Sequence, residues 1–416
     1  MNHNIFIWSI AGLATLGVIA RPLRIPEYVW ASVGAAALVA LGFLPWRDAL
    51  AAAGKGTDVY LFLVGMMLLS EVARQEGLFD WLATRAVDYA NGSAKRLFLI
   101  VYCVGTLVTV FLSNDATAVV LTPAVYAAAT AARVKPLPYL FICAFIANAA
   151  SFVLPISNPA NLVIFRAHMP PLGHWLHQFA LPSLAAIFVT YVALRFTQRQ
   201  ALDHEIAKNL KTKPLSTGGT CVAIGIGLTA VALLAASTLD RQLGLPTFVA
   251  GAAVTVVVLL IGRQSPFPVL RDISWGVLPL VAGLFILVEG VEQTGFLRAM
   301  ARMLHQAAAA SPHETSVGAG AIVAFASNLL NNLPTGLVAA TVSQSARVPV
   351  QVTSGLLIGV DLGPNLSVTG SLATILWLIA LRREGEAVTA WQFLKLGMIV
   401  MPPALAAALL SMTLMP

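Results

Sequence analysis

The sequence predicts an all-α polytopic membrane protein made of two inverted-topology repeats, with about 10 transmembrane helices, two re-entrant hairpins and two broken helices. Composition, one long internal repeat, and polar breaks at matching places in both copies carry that prediction.

Of the 416 residues, 58% are hydrophobic and only 10% are charged, and mean hydropathy is +0.83. Soluble domains carry about 25% charged residues, so this chain cannot cover a water-facing surface. Apolar runs such as Ile5–Ala20, Val29–Pro45, Phe179–Leu194, Cys221–Ser237 and Phe248–Ile261 approach, with their flanks, the roughly 20 residues that a span needs. The opening MNHNIFIW has no basic segment and no A-x-A site, so the first run reads as a retained span, not a cleaved signal. Cys103, Cys143 and Cys221 are scattered in apolar runs without a CxxC or Cys/His cluster. They read as small buried apolar residues, and neither disulfides nor a metal site is expected. The net charge of +7 sits in short loops, which excludes a nucleic-acid reading and fits a positive-inside topology.

Glu71, Gly77, Asn114 and Thr117 match Glu289, Gly295, Asn332 and Thr335 at one constant offset. Upstream texts align at Pro26 and Pro246; downstream, after a shorter loop, ANAASFVLPISNPAN aligns with VDLGPNLSVTGSLAT. The chain therefore divides into a first repeat, 1–195, a basic cytoplasmic linker, 196–219, and a second repeat, 220–416. Each repeat reads as two full spans, a third span (58–75 or 275–291), an amphipathic stretch, two limbs meeting at a polar tip, a helix broken at SFVLPISNP or LGPNLSVTGS, and a closing span. If the limbs form re-entrant hairpins, each repeat crosses five times, and an odd number requires inversion. With the linker in the cytoplasm, 17 of the 25 Lys and Arg residues fall on that side, from Arg21 and Arg24 through Lys208, Lys211 and Lys213 to Arg382 and Arg383. Both termini then lie outside. Counting the hairpins as crossings leaves the parity unchanged, so charge does not decide that point.

Paired broken helices in inverted repeats are the architecture of secondary transporters. A break exposes backbone N–H groups at a positive dipole end, and such backbone must line a protein cavity, not lipid. Four half-helix starts are expected: after Asn114/Asp115, after Ser157/Asn158, near Asn332, and near Thr369/Ser371. Pro159 and Pro334 stand where a first-turn proline is tolerated. The resulting substrate-site candidates are Asn114, Thr117, Asn148, Ser157, Asn158 and Asn161 in the first repeat, and Asn332, Thr335, Asn365, Thr369 and Ser371 in the second, with Ser151, Asn331, Ser367 and Thr374 beside them. Amides and hydroxyls both donate and accept. Without an Arg or Lys among them, they favour a small neutral polyhydroxy solute over an organic dianion; the anion reading stays open, because helix N-termini alone can hold carboxylates.

Two acids break the symmetry: Asp115 matches Leu333, and Asp361 matches Asn148. A lone carboxyl group removed from water binds a proton more readily, so both are proton-coupling candidates. The blander alternative makes Asp115 an N-cap and Asp361 a brace for the Gly363-Pro364 break. Glu71 and Glu289 read as interfacial and structural, and His168, His174 and His177 as solvated residues of an outside loop.

FLSNDATAVVLTP, SNLLNNLPTGLVA and GVDLGPNLSVTGSLATILW resemble the ArsB-type arsenite efflux permeases of the ion transporter superfamily, over nearly the whole chain. The resemblance implies export of trivalent arsenic and antimony, as neutral trihydroxides, in exchange for protons across the inner membrane. The proton gradient is then the only energy source within the chain, with no cofactor. Family members work alone or with an ArsA-type ATPase, so the implied partners are arsenite, antimonite, the lipid bilayer and such an ATPase. The family motif places function on Asn114, Asp115 and Thr117, on Asn332 and Thr335, and on Asp361, Gly363, Pro364, Asn365, Thr369 and Ser371; Ser157 and Asn158 keep the superfamily's Ser-Asn. The tips SND and NNLPT depart from the Ser-Asn-Thr of the dicarboxylate branch. Alternatives are a transporter of the same fold for silicate, di- or tricarboxylates or sodium–proton exchange, and, from another class, an intramembrane aspartyl protease with Asp115 and Asp361 as its dyad.

Overall fold

The computed structural model of the chain describes residues 3–22, 25–166, 169–203, 205–206, 214–239 and 241–414. Arg24, Lys208, Lys211 and Lys213 of the charge count, and His168, lie outside them. The described residues are almost entirely helical.

The first repeat contains α1 (His3–Ala20), α2 (Glu27–Ala40), α3 (Trp46–Gly54), α4 (Thr57–Gln75), α5 (Leu78–Ala90), α6 (Ala94–Leu112), α7 (Asn114–Ala116), a π-helical turn (Thr117–Leu121), α8 (Thr122–Ala131), α9 (Leu137–Ala149), a 3₁₀ turn (Pro155–Ser157), α10 (Pro159–Ile164) and α11 (Leu172–Thr197). The second contains α12 (Thr217–Thr238), α13 (Gly244–Gly262), α14 (Phe267–Asp272), α15 (Val277–Gln293), α16 (Phe296–Ala310), α17 (Pro312–Leu330), α18 (Asn332–Ala346), α19 (Val350–Leu362), a 3₁₀ turn (Gly363–Asn365), α20 (Leu372–Arg383) and α21 (Ala390–Met412). The two series run in the same order. Short helices α3 and α14, just before the third span, are absent from the sequence reading. Among the described residues seven helices are long and apolar enough to cross a membrane, or eight if α3 and α4, bent by 48°, count as one.

Packing repeats as well as order. α4 crosses α13 where Gly65 lies on the backbone of Thr247 and Gly251; in the swapped pair α15 crosses α2 where Gly283 lies on Ala31. Neither glycine has room for a Cβ, and such close backbone approach holds helices together where lipid supplies no hydrophobic drive. The hairpin limbs return to the faces they left: α5 packs on both α6 and α8, and α16 on both α17 and α18.

Some details differ from expectation. His174 and His177 belong to the first turns of α11, not to a loop. Of the cysteines only Cys143 is buried; Cys103 is exposed on α6, because an apolar helix facing lipid leaves its small residues open. Part of the linker packs: Glu205 bridges Ser93, and Lys95 Nζ lies 2.8 Å from Asp203 Oδ1.

Candidate functional site

Each hairpin reverses on one residue. Ser113 takes φ 102°, ψ 161°, and Asn331, its repeat partner, takes φ 72°, ψ 152°. This region is almost restricted to glycine and costs on the order of 1–3 kcal/mol for other residues. Two strained tips at matching positions indicate that the surrounding structure imposes the turn. At the second tip the strain comes with a cap: Asn331 Oδ1 accepts from Leu333 N (3.3 Å), Asn331 Nδ2 donates to Thr369 O (3.3 Å), and Asn332 N donates to Gly370 O (2.8 Å). Ser113 makes no side-chain cap. There the chain enters a π turn, with Thr117 Oγ1 2.8 Å from Thr109 Oγ1. Single π turns inside helices are frequent at functional sites.

All four half-helix starts occur where expected, at Asn114, Pro159, Asn332 and Leu372. At the second tip Asn331 is the cap and Asn332 the first helical residue; at the first tip Ser113 precedes Asn114, so Asp115 lies inside the first helical turn and is not the N-cap that the blander reading made it. Asn158 caps α10 by accepting from Ala160 N at 3.0 Å, and Ser371 caps α20 by accepting from Thr374 N at 3.1 Å. The tips pack crosswise, the first on α20 and the second on α10.

Four of the site candidates, Asn148, Asn158, Asp361 and Asn365, form a buried brace between the repeats, and others are tied within their own repeat. Asn158 Nδ2 donates to Asp361 Oδ1 (2.9 Å), Asn148 Nδ2 to Asn365 Oδ1 (3.0 Å), and Asn365 Nδ2 to Phe145 O (2.9 Å). Ser157 Oγ donates to Val110 O (3.0 Å), and Asn161 Nδ2 reaches Ser151 O (2.8 Å) and Leu154 O (3.2 Å). Thr335 Oγ1 bonds Asn331 O (2.7 Å), and Thr369 Oγ1 bonds Asn328 O (2.9 Å). Asn114 is buried with its Oδ1 unpartnered. Asp361 is wholly buried and engaged by Asn158, not by Asp115, so the two acids form no dyad.

The cavity beside the first tip is lined differently. It is lined by Ser113, Asp115 and Pro159, by Met66, Met67, Ser70 and Glu71 of α4, by Asp272 and Ser274, and by Leu376 of α20. Among the described residues Asp115 makes no hydrogen bond or ion pair. Glu71 is held by Arg74 Nε (2.9 Å) and Nη2 (2.5 Å) and by Gln75 Nε2 (2.7 Å), while Arg74 Nη2 also reaches Asp272 Oδ2 (3.0 Å). The repeat partner Glu289 instead pairs with Lys55 Nζ across the repeats at 2.6 Å. Glu71 is therefore more than the interfacial support the sequence suggests: it is a buried wall of the cavity. Of the substrate and proton candidates, only Asp115 lines this cavity.

The sequence reading missed Ser70, Thr109 and Asn328. Asn328 donates to Gly363 O (2.9 Å) and accepts from Ser367 Oγ (2.8 Å), tying the second hairpin to the broken helix. Its position one turn before Asn331, on the same helix face, was the available signal. Ser70 was marked by a polar Ser-Glu pair inside an apolar span.

The family model described as "Citrate transporter" matches residues 14–361. The chain is 26% identical over 363 residues to an arsenical pump membrane protein of Yersinia enterocolitica, covering 84% of this chain and 85% of the relative. It is 25% identical to the arsenical pump membrane protein of Escherichia coli K12, with the same coverage. An uncharacterized transporter of Mycobacterium tuberculosis is 27% identical over 408 residues, covering 92% of both chains. Among solved structures, the YdaH transporter of Alcanivorax borkumensis superposes with a TM-score of 0.56 at 14% identity, over 89% of this chain and 87% of that one; this likeness concerns the fold alone.

Proposed function

The chain belongs to the citrate transporter family, and on that premise we propose that this membrane transporter exports trivalent metalloids, arsenite and antimonite as neutral trihydroxides, in exchange for protons across the inner membrane. The observation that carries this reading is the charge of the cavity. Its lining holds three carboxylates, Asp115, Glu71 and Asp272, and no Arg or Lys; among the described residues Arg74 pairs with Glu71 and Asp272 and Arg271 with Asp272 from outside the lining, and Asp115 has no cation. A tricarboxylate would be repelled by such a lining, whereas an uncharged trihydroxide meets serine hydroxyls and carboxylate acceptors. The names of the Yersinia and Escherichia relatives support the same substrate class.

Asp115 is the proton carrier in contact with the cavity, since no partner neutralises its charge. Asp361 is the second: Asn158 holds one carboxyl oxygen, and Oδ2, buried without a partner, is left to hold a proton. Alternating access moves the hairpins and broken helices against the remaining spans. The linker side is cytoplasmic in this scheme, and an ArsA-type ATPase would dock there in systems that have one.

Everted membrane vesicles from cells lacking their own exporter test the proposal. Arsenite uptake should follow an imposed pH gradient and collapse with a protonophore. Gradient-insensitive arsenite flux would remove the coupling, and citrate flux in its place would restore the reading that the family's description favours.

A further inference from the structure

We infer that a groove between α16 and the end of α18 is a binding site for the headgroup of an anionic phospholipid. α16 has three distinct faces. Leu297 and Ala301 are buried against Val342 and Ala346 of α18, and Ala308 is buried on the same face. On one flank Phe296, Met300 and Met303 are exposed, at helical spacing. On the other flank Arg298, Arg302 and His305 follow the same spacing, and Arg347 closes the groove from the far wall. An apolar flank beside a basic flank is the pattern of a helix lying in the membrane interface, one side in the acyl boundary and the other among headgroups.

The charges need an occupant. No carboxylate lines the groove, and Arg298, Arg302 and Arg347 make no ion pair among the described residues. Three guanidiniums in one groove repel one another unless an anion lies between them, and forked N–H donors suit phosphate oxygens. His305 Nδ1 is taken by Ala346 O at 2.9 Å, which leaves Nε2 for the groove. The topology read from charge adds an independent point: these three arginines are among the eight Lys and Arg residues outside the cytoplasmic group of 17. A basic cluster against the positive-inside bias asks for a local reason.

The fold does not demand the cluster. At the equivalent positions of α5 the chain has Asp80, Thr84 and Val87, and Arg85 there lies 5.6 Å over the Trp81 ring instead. The basic flank is peculiar to the second repeat. A headgroup held by Arg298, Arg302 and Arg347 would join α16 to the returning limb of the second hairpin.

The purified full chain in detergent, titrated with phosphatidylglycerol or phosphatidylcholine and read by native mass spectrometry, tests the site without reference to transport. Phosphatidylglycerol should be retained preferentially. Arg298→Gln/Arg302→Gln/Arg347→Gln should weaken that retention on the order of 100-fold, from the attraction each basic residue has for an anionic lipid surface. The matching Lys triple, which keeps the charge and loses the forks, should bind between the Gln triple and the unaltered chain, which separates lost charge from lost folding, and Arg382→Gln/Arg383→Gln should leave it unchanged. Equal retention of the two lipids, or a Gln triple that binds like the unaltered chain, overturns the proposal. Full competition by inorganic phosphate at matched concentration also overturns it, in favour of a free-anion site.

Discussion

The two hairpin tips share a backbone and differ in what they carry. Ser113 and Asn331 turn the chain through the same strained conformation, and each tip packs on the broken helix of the other repeat. Yet the first tip continues into a π turn and presents Asp115 to a cavity, while the second is capped by its own asparagine and carries Leu333 in the acid's place. Pseudo-symmetry thus supplies two equivalent turns, and a carboxyl group is given to one. A carrier needs two alternative arrangements of similar energy, and in the proposed exchange the repeat would supply them. In the proposed exchange the asymmetry would place one coupling group at the first tip.

Exchanging the chemistry of the tips is the most severe way to break this comparison. Asp115→Leu with Leu333→Asp should reduce gradient-driven arsenite uptake in everted vesicles to background, although total charge is unchanged; retained uptake would mean that the tips are interchangeable. Asp115→Asn alone should lower coupled flux by about 100-fold, roughly 2.7 kcal/mol.

The brace beneath the tips gives the next largest effect. Asp361→Ala leaves Asn158 Nδ2 buried without its acceptor and should destabilise the chain by about 3 kcal/mol, read as a lowered thermal unfolding midpoint in detergent. Asp361→Asn should lose less stability but as much coupling. A variant that unfolds normally and still couples would confine Asp361 to packing.

Strain sharpens the comparison more finely. Ser113→Gly should stabilise by about 1 kcal/mol, since the serine contributes no cap. Asn331→Gly should come out near zero, because relief of the same strain is offset by the lost bond to Leu333 N. Smallest of all is Lys95→Met: both members of the Lys95–Asp203 pair are largely exposed, so removing the lysine should shift stability by less than about 0.5 kcal/mol.

Much of this arrangement was legible along the chain because its causes are local. Ser, Asn and Pro at half-helix starts cap whichever helix follows them, so the breaks at Asn158/Pro159 and Ser371/Leu372 fall where their residue types place them. The repeat and its two unmatched acids can be read by alignment alone. Asn331 and Asn332 are chemically alike, and only the turn shows that Asn331 is the cap.

What the sequence by itself determined is therefore where the helices break, how the halves correspond and which carboxyl groups lack a counterpart. Tertiary structure alone decided which polar groups face open space. Asn158 meets Asp361 across 203 residues, and Glu71, from a span read as support, becomes a wall of the cavity. The physical reason is that capping and propensity act within a few residues, whereas the direction a side chain faces depends on which helices cross it. Here those crossings are set by contacts such as Gly65 on Gly251, between residues that share no local pattern.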